Sequence, residues 1–154
     1  MIRKAEQKDI PSINDLLRQV ANVHYEIRPD IFYPNTKKYT DDELLQIILS
    51  PSTPVFVCEQ DGKVVGYCFC VLSQVIGSNL LKDRKTLYID DLCVDKNVRR
   101  SGIGYQLLQF VENYAKEENC NAITLNVWEG NDFARAFYEK HNFGVLKTVM
   151  EKKL

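Results

Sequence analysis

The sequence predicts one mixed domain of the α/β or α+β class, with elements in the order strand, two helices, three strands, helix, strand, helix, strand. Three observations predict it. The chain has 154 residues, enough for one core, whereas a second becomes the better reading beyond roughly 200. Hydrophobic residues make up 45% and charged residues 27%, ordinary for a globular chain and against wholesale disorder. The apolar positions also alternate between helical spacing and runs of strand length, with turn residues between them.

Each element follows from its residues. Residues 2–5 read as a short edge strand. Ile10, Ile13, Leu16, Leu17, Val20 and Val23 recur at helical spacing, so 9–23 reads as an amphipathic helix with Pro11 in its first turn. Residues 25–39, with Pro29, Pro34 and four aromatics, read as an irregular apolar loop. Thr40 with Glu43 forms a capping box opening a helix to Ser50, stopped by Pro51 and Pro54. Residues 55–59 and 64–72 flank an Asp61-Gly62 turn and form a hairpin. Strands then follow at 86–94, 123–128 and 145–154, with helices at 102–118 and 131–141.

Charge and cysteine usage exclude several classes. Lys and Arg number 20 against 21 Asp and Glu, a net charge of -1, and a general phosphate-tracking nucleic-acid binder should be more basic. The five cysteines contain no Cys-x-x-Cys pair, and neither His24 nor His141 sits at zinc-finger spacing from a cysteine pair. Free, mostly buried thiols in a reducing compartment are expected, with no metal. The first residues lack the apolar stretch of a signal peptide. The longest apolar run, 64–72, is too short to span a bilayer. The expectation is a cytoplasmic protein with neither nucleic acid nor membrane as partner.

The chemistry gathers in the second half. In Leu87-Tyr88-Ile89-Asp90-Asp91-Leu92-Cys93-Val94, the apolar positions shift from odd to even numbers. A strand alternates faces with period two, so keeping all four on one face needs an extra residue, a β-bulge at Asp90-Asp91. Next comes Arg99-Arg100-Ser101-Gly102-Ile103-Gly104, directly before a helix. A glycine turn entering a helix presents unpaired amides and the positive end of the dipole, and the arginines add donors, so the segment suits a phosphate. It lacks the third glycine of a dinucleotide fingerprint and the Lys-Ser/Thr of a Walker loop. Asn131 then caps a helix carrying Tyr138, beside which the small Ala134 leaves room for a ligand.

Leu92-Cys93-Val94, then Arg99-x-x-Gly102-x-Gly104, then Asn131-x-x-Ala134-x-x-Phe137-Tyr138 up to Phe143 together resemble the GNAT superfamily of N-acetyltransferases. The resemblance implies a mixed, strongly twisted sheet whose splayed central strands hold acetyl-CoA, with residues 1–154 forming a single domain of that kind. It implies a pyrophosphate cradle of Arg99, Arg100, Ser101, Gly102, Ile103, Gly104 and Tyr105. It further implies a pantetheine-pairing strand at Leu92, Cys93 and Val94, a CoA contact at Asn131, and Tyr138 as general acid toward the departing thiolate. Two positions depart from the family pattern. Lys96 stands where many members have proline, and Asn142 where they have glycine; Asn also tolerates the left-handed conformation.

The expected reaction is direct attack of a primary amine on the thioester in a ternary complex, with a backbone amide at the bulge stabilising the oxyanion. A base must accept a proton, and Asp90 is the first candidate, Asp91 the second. Asp30 and Phe32 of the aromatic loop, with Asp91, are candidates to hold the amine. That loop reads equally as a packed one in which Arg28 pairs with a neighbouring acid. A non-catalytic acyl-CoA-binding or regulatory domain is the alternative, and a longer acyl donor such as succinyl-CoA a further one. The last strand could pair across a dimer, leaving both a monomer and a homodimer open.

Overall fold

A computed structural model describes residues 1–98 and 101–154. Its strands form one five-stranded sheet in sequential order, β1 (Ile2–Lys4), β2 (Val55–Gln60), β3 (Lys63–Val75), β4 (Arg84–Val94) and β5 (Ala122–Leu125). The first four are antiparallel neighbours and β5 runs parallel to β4. The mixed α/β class is therefore the one observed. The hairpin turn has Asp61 and Gly62 at φ of 50° and 75°, the left-handed pair that matches the twist of a two-residue hairpin.

The helices cover both faces. α1 (Ile10–Ile27) starts after a 3-10 turn at Gln7–Asp9 and runs four residues beyond the expected end. α2 (Asp41–Leu49) opens on the expected box, with the Glu43 amide donating to Thr40 Oγ1 at 3.2 Å and the Thr40 amide to Glu43 at 3.3 Å. Ile13, Leu16, Leu17 and Leu44 from these helices pack with Val57, Tyr67, Phe69 and Cys93 on one face. On the other face, α3 (Ile103–Glu117) contributes Ile103, Leu107, Leu108 and Val111 to a second cluster with Phe56, Cys68, Leu87 and Ile89. α4 (Asp132–Lys140) adds Phe137 to this second cluster.

Two expected strands differ. β5 ends at Leu125 rather than at 128. Residues 145–154 form no strand: they carry no regular secondary structure, and no backbone hydrogen bond joins them to any described residue. A strand exists only through a neighbour, and among the described residues this segment has none. The cysteines are free, four of them buried and Cys120 half-buried. Among the described residues no helix is long and apolar enough to cross a membrane.

Candidate active site

The bulge in β4 organises the site. Phe69 of β3 opposes Asp91 and Cys70 opposes Ile89, which leaves Asp90 as the extra residue. Leu87 and Ile89 before it, and Leu92 and Val94 after it, all join the α3-side cluster, as the parity of the sequence required. The acids Asp90 and Asp91 consequently face the α1–α2 side.

The bulge also sits where β4 loses its other neighbour. β5 pairs with Thr86 to Ile89 and stops, so the strand from Asp90 onward borders an opening. The Asp95 amide donates to Val65 O at 2.8 Å. Because bonded pairs alternate along an antiparallel ladder, the Leu92 amide points away from β3, near the Asp91 carboxylate, whose pKa it helps to lower.

The turn after β4 leads into the cradle. Asp95, buried, accepts from the Asn97 amide at 3.0 Å, and Gln19 of α1 accepts from the Lys96 amide at 3.1 Å. This turn forms without a proline at position 96. Gly102 stands before α3 at φ 81°, a left-handed residue that a side chain would strain. The first helical bond of α3 comes from Gln106 to Gly102 O, so Ile103, Gly104 and Tyr105 present their amides at the positive end of the helix. Gly104 lies between Phe137 and Val94: a Cβ there would meet them at 3.5 and 3.7 Å. The cradle thus adjoins both β4 and α4. Of the residues assigned to it from sequence, Arg99 and Arg100 lie outside the described ones.

The two carboxylates differ in surroundings. Asp90 is held by Lys38 Nζ at 2.9 Å to each oxygen and by the Tyr39 hydroxyl at 2.6 Å. Asp91 accepts from the Tyr67 hydroxyl at 2.6 Å. Burial pushes its carboxyl up to about 6, partly offset by the Tyr67 hydrogen bond and the Lys38 charge. Burial and the Asp91 charge in turn push Tyr67 well up.

Across the opening, Asn131 Oδ1 caps α4 by accepting from the Ala134 amide at 3.2 Å, which leaves its NH2 group for other partners. Tyr138 packs edge-on against Phe137 and Phe143, with ring centroids at 5.2 and 5.4 Å. Burial raises its pKa far above the phenolic range, and the Asp91 charge adds to the effect. Tyr138 and Asp91 therefore share one electrostatic neighbourhood. Asn142 closes the segment at φ 69°, left-handed as expected.

On the α1 side, Phe32 stacks on His24 at 5.1 Å and meets Trp128 edge-on at 5.1 Å. Asp30 is engaged: Arg28 donates to both its oxygens at 2.9 and 2.8 Å, which holds its carboxyl well below the usual range. Lys38, Tyr39, Tyr67, Gln19 and Asp95 were not singled out from the sequence. Only the Asp95-x-Asn97 turn leaves a local signal; the others reach the site through long-range contacts. Among the described residues no three His, Cys, Asp or Glu side chains gather as metal ligands. A hollow of about 340 Å³ beside Gln74, Asp83 and Arg84 lies at the far end of β4 from this chemistry.

Comparison with known proteins agrees in direction. The family model described as "Acetyltransferase (GNAT) family" matches residues 21–143. An uncharacterized N-acetyltransferase of Methanocaldococcus jannaschii is 30% identical over 148 residues, covering 93% of this chain and 77% of the relative. Streptothricin acetyltransferase A of Bacillus subtilis is 28% identical over 121 residues, covering 76% of this chain and 64% of the relative. A crystal structure of a Bacillus halodurans protein, a point mutant, superposes with a TM-score of 0.96 at 32% identity, covering 100% of this chain and 99% of that one.

Proposed function

The chain belongs to the acetyltransferase (GNAT) family, and from that premise we propose that it moves the acetyl group of acetyl-CoA to a cationic primary amine by direct attack in a ternary complex. The observation that carries the proposal is the bulge, which turns two adjacent carboxylates toward the α1–α2 side where β4 opens beside Tyr138.

The residues present suit acetyl-CoA. Ser101, the left-handed Gly102 and the amides of Ile103, Gly104 and Tyr105 would hold the pyrophosphate, Asn131 would donate its NH2 group, and the backbone from Leu92 to Val94 would pair with the pantetheine arm. When bound, acetyl-CoA supplies an activated thioester carbonyl. The Leu92 amide, at the bulge, stabilises the negative charge that builds on the carbonyl oxygen during attack. Tyr138 is held protonated at the pH of turnover and passes its proton to the thiolate sulfur as the C–S bond breaks.

A free alkylamine is protonated near neutrality and must lose a proton before it attacks. Of the two acids, Asp91 suits the base role better. Its pKa near 6 lies close to working pH, where a base combines availability with proton affinity. Asp90 is engaged by the Lys38 ammonium, which offsets its charge, and by the Tyr39 hydroxyl. Phe32, His24 and Trp128 form an aromatic wall on the acceptor side, suited to a cation. A small polyamine-like or aminated substrate fits this chemistry, and a relative named for streptothricin acetylation supports testing antibiotic amines first.

The test is incubation with isotope-labelled acetyl-CoA and a panel of polyamines, amino sugars, streptothricin and lysine peptides, followed by mass spectrometry. Label on a primary amine is expected. Acetyl-CoA binding with no label on any amine, or on any component of a cell extract, would favour a non-catalytic acyl-CoA-binding domain instead.

A further inference from the structure

We propose that Lys38 sets acceptor specificity, its ammonium filling a cation subsite on Asp90 that would otherwise bind a second positive charge of the acceptor amine. The inference rests on the amine-acceptor reading above and deepens it.

The subsite is built into the core. Asp90, the extra residue of the bulge, has a side chain only 18% exposed. The Tyr39 hydroxyl donates to its Oδ2 at 2.6 Å and fixes the carboxylate. The Tyr39 ring in turn stacks on the buried Phe69 of β3, with centroids 5.8 Å apart. A cation seated here meets two carboxylate oxygens and an aromatic ring, both attractive to an ammonium.

The chain's own lysine takes that place. Lys38 Nζ lies 2.9 Å from each Asp90 oxygen and 5.3 Å from the centroid of the Tyr39 ring. Its side chain is 48% exposed, and among the described residues Asp90 is its only hydrogen-bond partner. An ammonium on a flexible stem, half in water, gains little from one ion pair and can be displaced by another ammonium. The neighbouring lysine is held elsewhere: Lys37 donates to Asn14 of α1 and Asp41 of α2 at 2.8 and 2.6 Å.

The subsite also adjoins the chemistry. Asp90 directly precedes Asp91, the proposed base. Burial raises the Asp91 pKa, and the Lys38 charge, after the Tyr67 hydrogen bond, acts against that rise. Burial and the Lys38 charge lower the pKa of His24, which stacks on Phe32 in the aromatic wall. The Lys38 ammonium is therefore within electrostatic reach of both the base and the wall. With Asp90 already neutralised, the site gives no advantage to a second charge on the acceptor, and Lys38 is the residue that withholds it.

The test titrates the full chain, loaded with CoA, by calorimetry with diaminopropane, diaminobutane and diaminopentane, each against the monoamine of equal length. In the wild type the two Kd values of a pair should agree within about two-fold. Lys38→Met removes the charge and keeps the bulk. It should favour the diamine by about five-fold at one length or more, the scale of a single ion pair at the edge of solvent. Lys38→Arg should keep the wild-type ratio. So should Lys37→Met, which removes a charge from the same loop without touching Asp90, and Lys38→Met combined with Asp90→Asn. A wild type that already favours diamines, or a Lys38→Met ratio equal to that of the wild type, would overturn the inference. A gain shared by Lys37→Met, or retained without Asp90, would overturn it too. Transfer of labelled acetyl to the same amines tells the two failures apart. Label with an unmoved ratio overturns this inference alone, whereas no label from any variant overturns the acceptor reading on which it rests.

Discussion

The proposed cofactor half of the site and the proposed acceptor half are built from different materials. The first is mostly backbone: a left-handed Gly102, three helix amides and the stretch of β4 beyond its pairing with β5. The second is mostly side chains that meet from distant parts of the chain, with Lys38 reaching Asp90 and Phe32 reaching Trp128. Backbone devices depend on a few residue types at fixed spacing, whereas side-chain walls can be assembled from many sequences. The first half is therefore readable from local sequence, and the second is not.

Substitutions can separate the halves. The largest effect is expected at Tyr138, the proposed general acid, which lies outside both proposed binding surfaces. Tyr138→Phe should lower kcat by about 100-fold, within the usual range for a lost general acid, while the acetyl-CoA Kd measured by calorimetry stays within about two-fold. Gly102→Val should act on the cofactor half alone. A β-branched residue at positive φ costs about 1–2 kcal/mol, which as lost cradle geometry predicts roughly a ten-fold weaker acetyl-CoA Kd and an amine KM left nearly unchanged. If the amine KM rises equally, the halves are not separable in this way.

How much was legible follows the same division. The bulge could be read because the shift in parity between Ile89 and Leu92 is local, and the register of β3 on β4 bears it out. The capping box at Thr40 and the turn at Asp61-Gly62 were equally local. The partners of Asp90 and Asp91 could not be read, since Lys38 lies 52 positions from Asp90 and Tyr67 lies 24 from Asp91. The last strand was misjudged for a different reason. Its apolar and β-branched residues, Val145, Leu146, Thr148, Val149 and Met150, mark a segment able to pair, but pairing needs a neighbour, and no described part of the same chain provides one.

The central claim, that the bulge sets a buried carboxylate as the base, carries a sign for stability as well as for rate. The Asp91 pKa is raised, so its contribution to stability is present below the unfolded value of 3.8 and is lost as pH rises through about 6. At neutral pH the buried charge costs on the order of 3 kcal/mol. Asp91→Asn keeps an acceptor for Tyr67 and should unfold no more readily than the wild type at pH 7.

The most direct measurement is the pH dependence of kcat/KM for the wild type and Asp91→Asn, with saturating acetyl-CoA and the amine found by labelling. The wild type should gain activity as pH rises through about 6, the deprotonation of Asp91. The variant should lose that limb together with about 10²–10⁴ of the rate, keeping only the limb set by the amine itself. A variant that retains both the limb near 6 and its rate would contradict the account and assign the proton to another group.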